Sequence, residues 1–158
     1  MAFKFTFSSM DTEAEAKMLL SWMRPYDLGY KGWNEWLDRI EQQVLDGRKR
    51  AVLAFSEEAG ERDLAAYVLY QQHKQIPNLI ELKSIRTHPK VQKRYFMSFM
   101  LKQVEVEAKK EGYAGLIGDL RENRGDVLAI MLRNNFRTLD SQNLYEPDKR
   151  DIIVAKMF

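Results

Sequence analysis

Phe3, Phe5 and Phe7 alternate with Lys4 and Thr6 at the start of the chain. This period-two pattern predicts a strand. Ser8 or Ser9 is then placed to cap a helix from about Asp11 to Met23, with Asp11 and Glu13 near its positive end. Ala14, Met18 and Trp22 recur every four residues and are its expected buried stripe. A second helix is predicted from about Gly32 to Leu45, with Trp33, Trp36, Leu37, Ile40 and Val44 on one face and Gly47 ending it. Three strands follow: Arg50–Phe55, Asp63–Tyr70 and Asn78–Thr87. In the last of these Leu79, Glu81, Lys83 and Ile85 face opposite to Ile80, Leu82, Ser84 and Arg86. The turns between the three are short, so an antiparallel meander is expected. A long helix is predicted over about Val91 to Glu111, with Phe96, Met100 and Val104 on one face and Gly112 at its end. Ala114–Gly118 reads as a strand directly after it, which makes a β-α-β unit and a parallel strand pair. A helix over about Arg124 to Asn134 and strands at Arg137–Leu144 and Asp151–Met157 complete the order β-α-α-β-β-β-α-β-α-β-β.

That order is an α+β pattern with one mixed, mostly antiparallel sheet and four helices. No repeat, linker or low-complexity tract interrupts it, so a single domain over residues 1–158 is expected. The sequence has no cysteine and only two histidines, His73 and His88. This excludes a disulfide scaffold, thiolate metal sites and a cysteine nucleophile, and no metal site is expected. The net charge is +2, which gives no strongly basic surface and argues against a nucleic-acid partner. No apolar run approaches the ~20 residues that a membrane-spanning helix needs. The first six residues carry no apolar stretch of the secretory type, so a cytoplasmic protein without membrane association is expected.

From the fourth strand onward the sequence resembles the GNAT superfamily of N-acetyltransferases. The resemblance is carried most specifically by Asn78 to Phe136. Thr87-His88-Pro89 leads into Gln92-Lys93-Arg94-Tyr95-Phe96-Met97-Ser98, where the family has a Gln/Arg-x-x-Gly-x-Gly/Ala turn. Gln92 matches the first motif position, and Tyr95 and Met97 stand where the family has small residues. A second match is Asn123 to Phe136, which resembles the family's Asn-x-x-Ala-x-x-x-Tyr-x-x-x-Gly-Phe segment with a one-residue slip, Asn135 replacing glycine.

The resemblance implies acyl-CoA, most simply acetyl-CoA, as co-substrate. It assigns the donor to the backbone and side chains of Ile85, Arg86, Thr87, Gln92, Lys93, Arg94, Tyr95, Phe96, Met97, Ser98 and Asn123. It also implies a general base at Glu81, which stands eleven residues before Gln92. A base is needed because a primary amine is protonated near neutral pH and cannot attack a thioester. Burial among Leu79, Ile80 and Leu82 would raise the Glu81 pKa; the competing reading is a surface carboxylate paired with Lys83. The family's tyrosine acid would fall on Ile130 or Met131, neither of which carries a proton to give, so Tyr145 is the substitute candidate. Tyr26, Tyr30 and Trp33 are substrate-site candidates, with core packing as the alternative for the tryptophan.

The expected activity is acyl transfer from acetyl-CoA to a primary amine, on a small molecule or a protein, by a soluble protein for which a homodimer is the default assembly. The alternative is a GNAT-shaped module without catalysis that binds a protein or nucleic-acid partner, favoured by Tyr95 and Met97.

Overall fold

Thr12, not a serine, starts the first helix. Its hydroxyl accepts the Glu15 amide at 3.1 Å, and Glu15 reaches back to the Thr12 amide at 3.2 Å. This reciprocal capping box satisfies two amides that a helix start otherwise leaves unpaired. A computed structural model of the chain describes residues 4–27, 29–91 and 95–158. Its elements are β1 (Lys4–Ser9), α1 (Glu13–Met23), α2 (Trp33–Leu45), β2 (Arg50–Glu58), β3 (Glu61–Gln72), β4 (Leu79–Thr87), α3 (Phe96–Lys110), β5 (Gly115–Arg121), α4 (Gly125–Arg133), β6 (Arg137–Glu146) and β7 (Lys149–Met157). The strands form one mixed sheet in the order β1-β2-β3-β4-β5-β7-β6. The pair β4/β5 is parallel, with Glu81 opposite Ile117 and Leu82 opposite Gly118. The α+β class, the element order and the parallel pair are those expected.

The chain divides into two compact units, Met1–Leu69 with Ser84–Phe96 and Tyr70–Lys83 with Met97–Phe158. In the first, α1 and α2 bury Ala16, Leu19, Leu20, Met23, Leu37, Ile40 and Val44 against Leu53, Phe55 and Tyr67. Burying side chains of this size stabilises by about 1.5–3 kcal/mol each relative to exposure. The expected α1 stripe is therefore corrected: Ala14 and Met18 are exposed and Trp22 is half-buried. Helix α1 is apolar on more than one line. The stripe through Ala16, Leu19, Leu20 and Met23, more continuous at 3.6-residue spacing, faces the core.

The β2–β3 hairpin is longer and tighter than expected. Its turn is Ala59-Gly60, with φ of +52° and +83°. A two-residue loop with both φ values positive matches the twist of the flanking strands. The second unit buries Met100, Leu101 and Val104 of α3, Leu116 of β5 and Val154 of β7. Gly115 has no room for a side chain: a Cβ there would lie 2.5 Å from the Lys156 carbonyl oxygen.

Candidate active site

Strand alternation sets one group of polar side chains. Glu81 and Lys83 are two residues apart on β4 and share a face. One position beyond the Leu82–Gly118 pair, Lys83 and Asp119 follow on adjacent parallel strands. The expected strand ended at Gly118; β5 runs on to Arg121, and this extension brings Asp119 into the sheet. Likewise β6 continues past Leu144 and includes Tyr145.

Both Glu81 carboxylate oxygens are engaged. Oε1 accepts from the Lys83 ammonium at 3.1 Å, and Oε2 accepts from the Gln71 amide at 3.1 Å. The Glu81 and Lys83 side chains are 19% and 22% exposed, so the pair is only partly screened by water. Burial pushes the Glu81 carboxyl up, but the Lys83 charge and the two hydrogen bonds outweigh it and hold the group below the usual carboxylate range. The elevation expected from its apolar neighbours is thus reversed by the pairing with Lys83.

Asp119 shifts the other way. Burial raises its pKa, and the Asp151 and Glu81 carboxylates add to the rise against the lowering effects of the Tyr145 hydrogen bond and Lys83. The Tyr145 hydroxyl lies 3.0 Å from each Asp119 oxygen and donates to this carboxylate. Burial, and then the Asp119 charge, push the Tyr145 hydroxyl far up, so it is protonated at neutral pH. Beneath the tyrosine ring the Arg121 guanidinium carbon lies 6.0 Å from the ring centre. Arg121 bridges Glu146 at 2.8 Å and the fully buried Asp151 at 3.4 Å. Asp151 also accepts the Leu144 amide at 3.3 Å, which fixes the strand position of Tyr145.

The result is a site with two carboxylates of unequal basicity, one ammonium and one protonated hydroxyl. Such a set takes a proton from one reacting group and gives one to another. Asp119 is the member that the sequence reading lacked. Its signal was present: an acidic residue directly after Gly-x-x-Gly and two positions after Ile117, continuing that strand alternation.

Further residues lie in the first unit. Arg86 donates from Nη1 to the Ile85 carbonyl at 2.7 Å, and its guanidinium carbon lies 5.3 Å from the Trp33 ring and 6.0 Å from the Tyr30 ring. Trp33 is 8% exposed and donates its indole N–H to the Met23 carbonyl at 2.9 Å, which is core packing. Tyr26 stacks on Trp22 at 4.6 Å and meets the His88 ring edge-on at 6.3 Å. Tyr67 shares a hydrogen bond of 2.7 Å with Ser84, and burial pushes its hydroxyl up to about 12.

The turn after β4 departs from the expected continuous helix. Pro89–Val91 is a short 3-10 turn, and α3 begins at Phe96. His88 donates its amide to the Ala65 carbonyl at 2.7 Å, and its Nδ1 accepts the Lys90 amide at 3.1 Å. Tyr95 has φ +60° although it carries a side chain. A glycine occupies this backbone state without cost, whereas a tyrosine there is strained. The Tyr95 ring is 71% exposed, and Met97 is buried at 7%. Phe96 packs edge-on against Phe5 and Phe7 at 4.7 and 5.4 Å. The Ser98 hydroxyl accepts the Asn134 amide at 3.0 Å, Asn123 is exposed in the turn after β5, and Thr87 is half-buried. Asn135, the glycine replacement at the end of α4, has φ +67°, a left-handed state that asparagine tolerates. Gln92, Lys93 and Arg94 lie outside the described residues.

Among the described residues no helix is long and apolar enough to cross a membrane. No family model matches the sequence, and no curated protein does so either. Solved structures do match in three dimensions. The ribosomal-protein-S18-alanine N-acetyltransferase of Escherichia coli superposes with a TM-score of 0.72 at 17% identity, covering 98% of this chain and 94% of that one. An acetyltransferase of the GNAT family from Streptococcus pneumoniae gives 0.73 at 14% identity, covering 98% and 100%. A Salmonella typhimurium protein described as an acetyltransferase, solved with its cofactor acetyl-CoA, gives 0.73 at 13% identity, covering 97% and 93%. The class defined by the sheet order and the parallel β4/β5 pair is therefore an α+β fold shared along almost the whole chain. It is the GNAT fold.

Proposed function

We propose that this protein is an acyl-CoA-dependent N-acyltransferase that moves an acetyl group from acetyl-CoA to a primary amine. The observation that carries this reading is the polar group on three strands of a GNAT fold, with Glu81, Lys83, Asp119 and Tyr145 in one unit. In this reading the backbone of Ile85 and Thr87 receives the pantetheine arm, and the amides of Tyr95 and Phe96, where α3 begins, receive the pyrophosphate. A helix start offers unpaired N–H groups and a favourable dipole there.

The amine arrives protonated and must lose a proton before its lone pair can attack the thioester carbonyl. Asp119, the more basic carboxylate, takes that proton, and Glu81, held ionised by Lys83, provides a fixed negative charge that draws the ammonium in. The C–N bond forms as the C–S bond breaks. Tyr145, protonated and hydrogen-bonded to Asp119, gives its proton to the departing thiolate and recovers one from Asp119. A thiolate is a fair leaving group, so this last step adds rate without being indispensable.

Release of free coenzyme A in the presence of a panel of primary amines tests the reading. Turnover that falls about a hundredfold in Asp119→Asn, and less in Glu81→Gln, is expected for a lost base. Turnover that both variants leave untouched contradicts it. The second reading, a GNAT-fold binding module, draws on Tyr95 and the buried Met97 in the donor turn. It predicts no release of coenzyme A with any amine.

A further inference from the structure

Among the described residues, Lys83 is an amine in hydrogen-bond contact with a candidate proton acceptor of the site. Its Nζ lies 3.1 Å from Glu81 Oε1, and its side chain is 22% exposed. It sits two residues before Ile85 on the same strand, which is about 7 Å of chain. In the function proposed above the donor's pantetheine arm runs along that strand. An acyl transferase needs an amine beside a carboxylate on its acceptor side, and β4 already presents that pair from within the protein.

We propose, resting on the function above, that Lys83 is an internal acyl acceptor and that the protein acylates itself at this position from bound acyl-CoA. The Lys83 ammonium passes one proton to Glu81. The freed lone pair attacks the thioester carbonyl carbon, the C–N bond forms, and the C–S bond breaks. The second proton leaves the nitrogen with the thiolate, giving coenzyme A as the thiol and an amide at Lys83. No oxidant, reductant or further reactant is required. The product changes the site it came from. An amide carries no charge, so Glu81 loses the Lys83 charge while the Gln71 bond remains, and the Lys83 charge that offsets Asp119 disappears as well. Both carboxylates are therefore more basic in the acylated protein, and the modification acts on the site's own acid–base balance.

Incubating the full chain with acetyl-CoA and mapping acetylated peptides by mass spectrometry tests this. Lys17 and Lys110, with side chains 65% and 69% exposed, report ordinary chemical acylation. Lys83 is expected to be labelled about tenfold faster than either, at a rate independent of protein concentration. Glu81→Gln is expected to slow Lys83 labelling about tenfold and to leave Lys17 and Lys110 unchanged. Labelling at Lys83 no faster than at the exposed lysines overturns the inference, as does a rate that rises with protein concentration. Both readouts come from the unmodified chain and do not depend on how the variant folds. Calorimetry with acetyl-CoA runs in parallel. Binding and amine turnover without Lys83 labelling overturn self-acylation alone, and no binding overturns the proposed function with it.

Discussion

Glu105 offers a quantitative test of how the second unit is held together. It lies on α3 with a side chain 7% exposed, and three lysines reach it: Lys156 of β7 at 2.7 Å, and Lys109 and Lys102 of its own helix at 2.9 and 3.6 Å. Burial alone would raise its pKa. The hydrogen bonds from Lys156 and Lys109 and the surrounding ammonium charges prevail and lower it from 4.5 to about 2. A carboxyl depressed in the folded state adds stability at pH values above its unfolded pKa and loses it as pH falls through the folded one. A shift of this size corresponds to about 3 kcal/mol between about pH 6 and about pH 2.

In Glu105→Gln that pH-dependent contribution is gone. The difference in unfolding free energy between wild type and variant should therefore shrink by about 3 kcal/mol over the same interval. Lys102 and Lys109 are 66% and 51% exposed, so salt on the order of 1 M should remove part of the effect, while the more buried Lys156 contact persists. All three tryptophans lie in the first unit, so urea unfolding is best followed by circular dichroism, which reads the helices and strands of both units. A wild-type-to-variant difference that stays constant from neutral to acid pH refutes the assignment of this carboxylate as the lysines' shared counter-ion.

Three other outcomes follow from particular contacts. Tyr95→Gly removes a side chain from a backbone with φ +60° and is expected to strengthen acetyl-CoA binding several-fold by allowing closer phosphate approach; calorimetry reporting weaker binding would count against the turn as the pyrophosphate site. Tyr145→Phe deletes the hydroxyl that bonds Asp119 and should lower turnover about tenfold, with the acid limb of the pH–rate profile moving up because Asp119 loses a bond that favours its charged form. An unmoved profile would mean that Asp119 is not the group that titrates. Thr12→Ala breaks the capping box of α1 and should cost about 1 kcal/mol in thermal or urea unfolding.

The element order was legible because each periodic segment carried its own stop signal, such as Gly47 after α2 and Gly112 after α3. The errors lie at boundaries. Val91 and Tyr95 read as the start of the long helix, but Val91 ends a 3-10 turn and Tyr95 is left-handed, a backbone state that a tyrosine does not announce. Glu81 was visible through its resemblance-based spacing, whereas its lowered pKa depends on Lys83 and Gln71, the latter from a neighbouring strand. The sequence does not point to Asp119 because Gly118 reads as a strand end. In the fold that glycine sits where a Cβ would meet Leu82 at 3.3 Å, so it marks close strand packing, not a break.

Titration calorimetry with acetyl-CoA probes the account most directly. Saturable binding with Kd on the order of micromolar, about −8 kcal/mol, is what the account predicts. No heat of binding at about millimolar ligand would contradict it, leaving the GNAT fold in place without its donor.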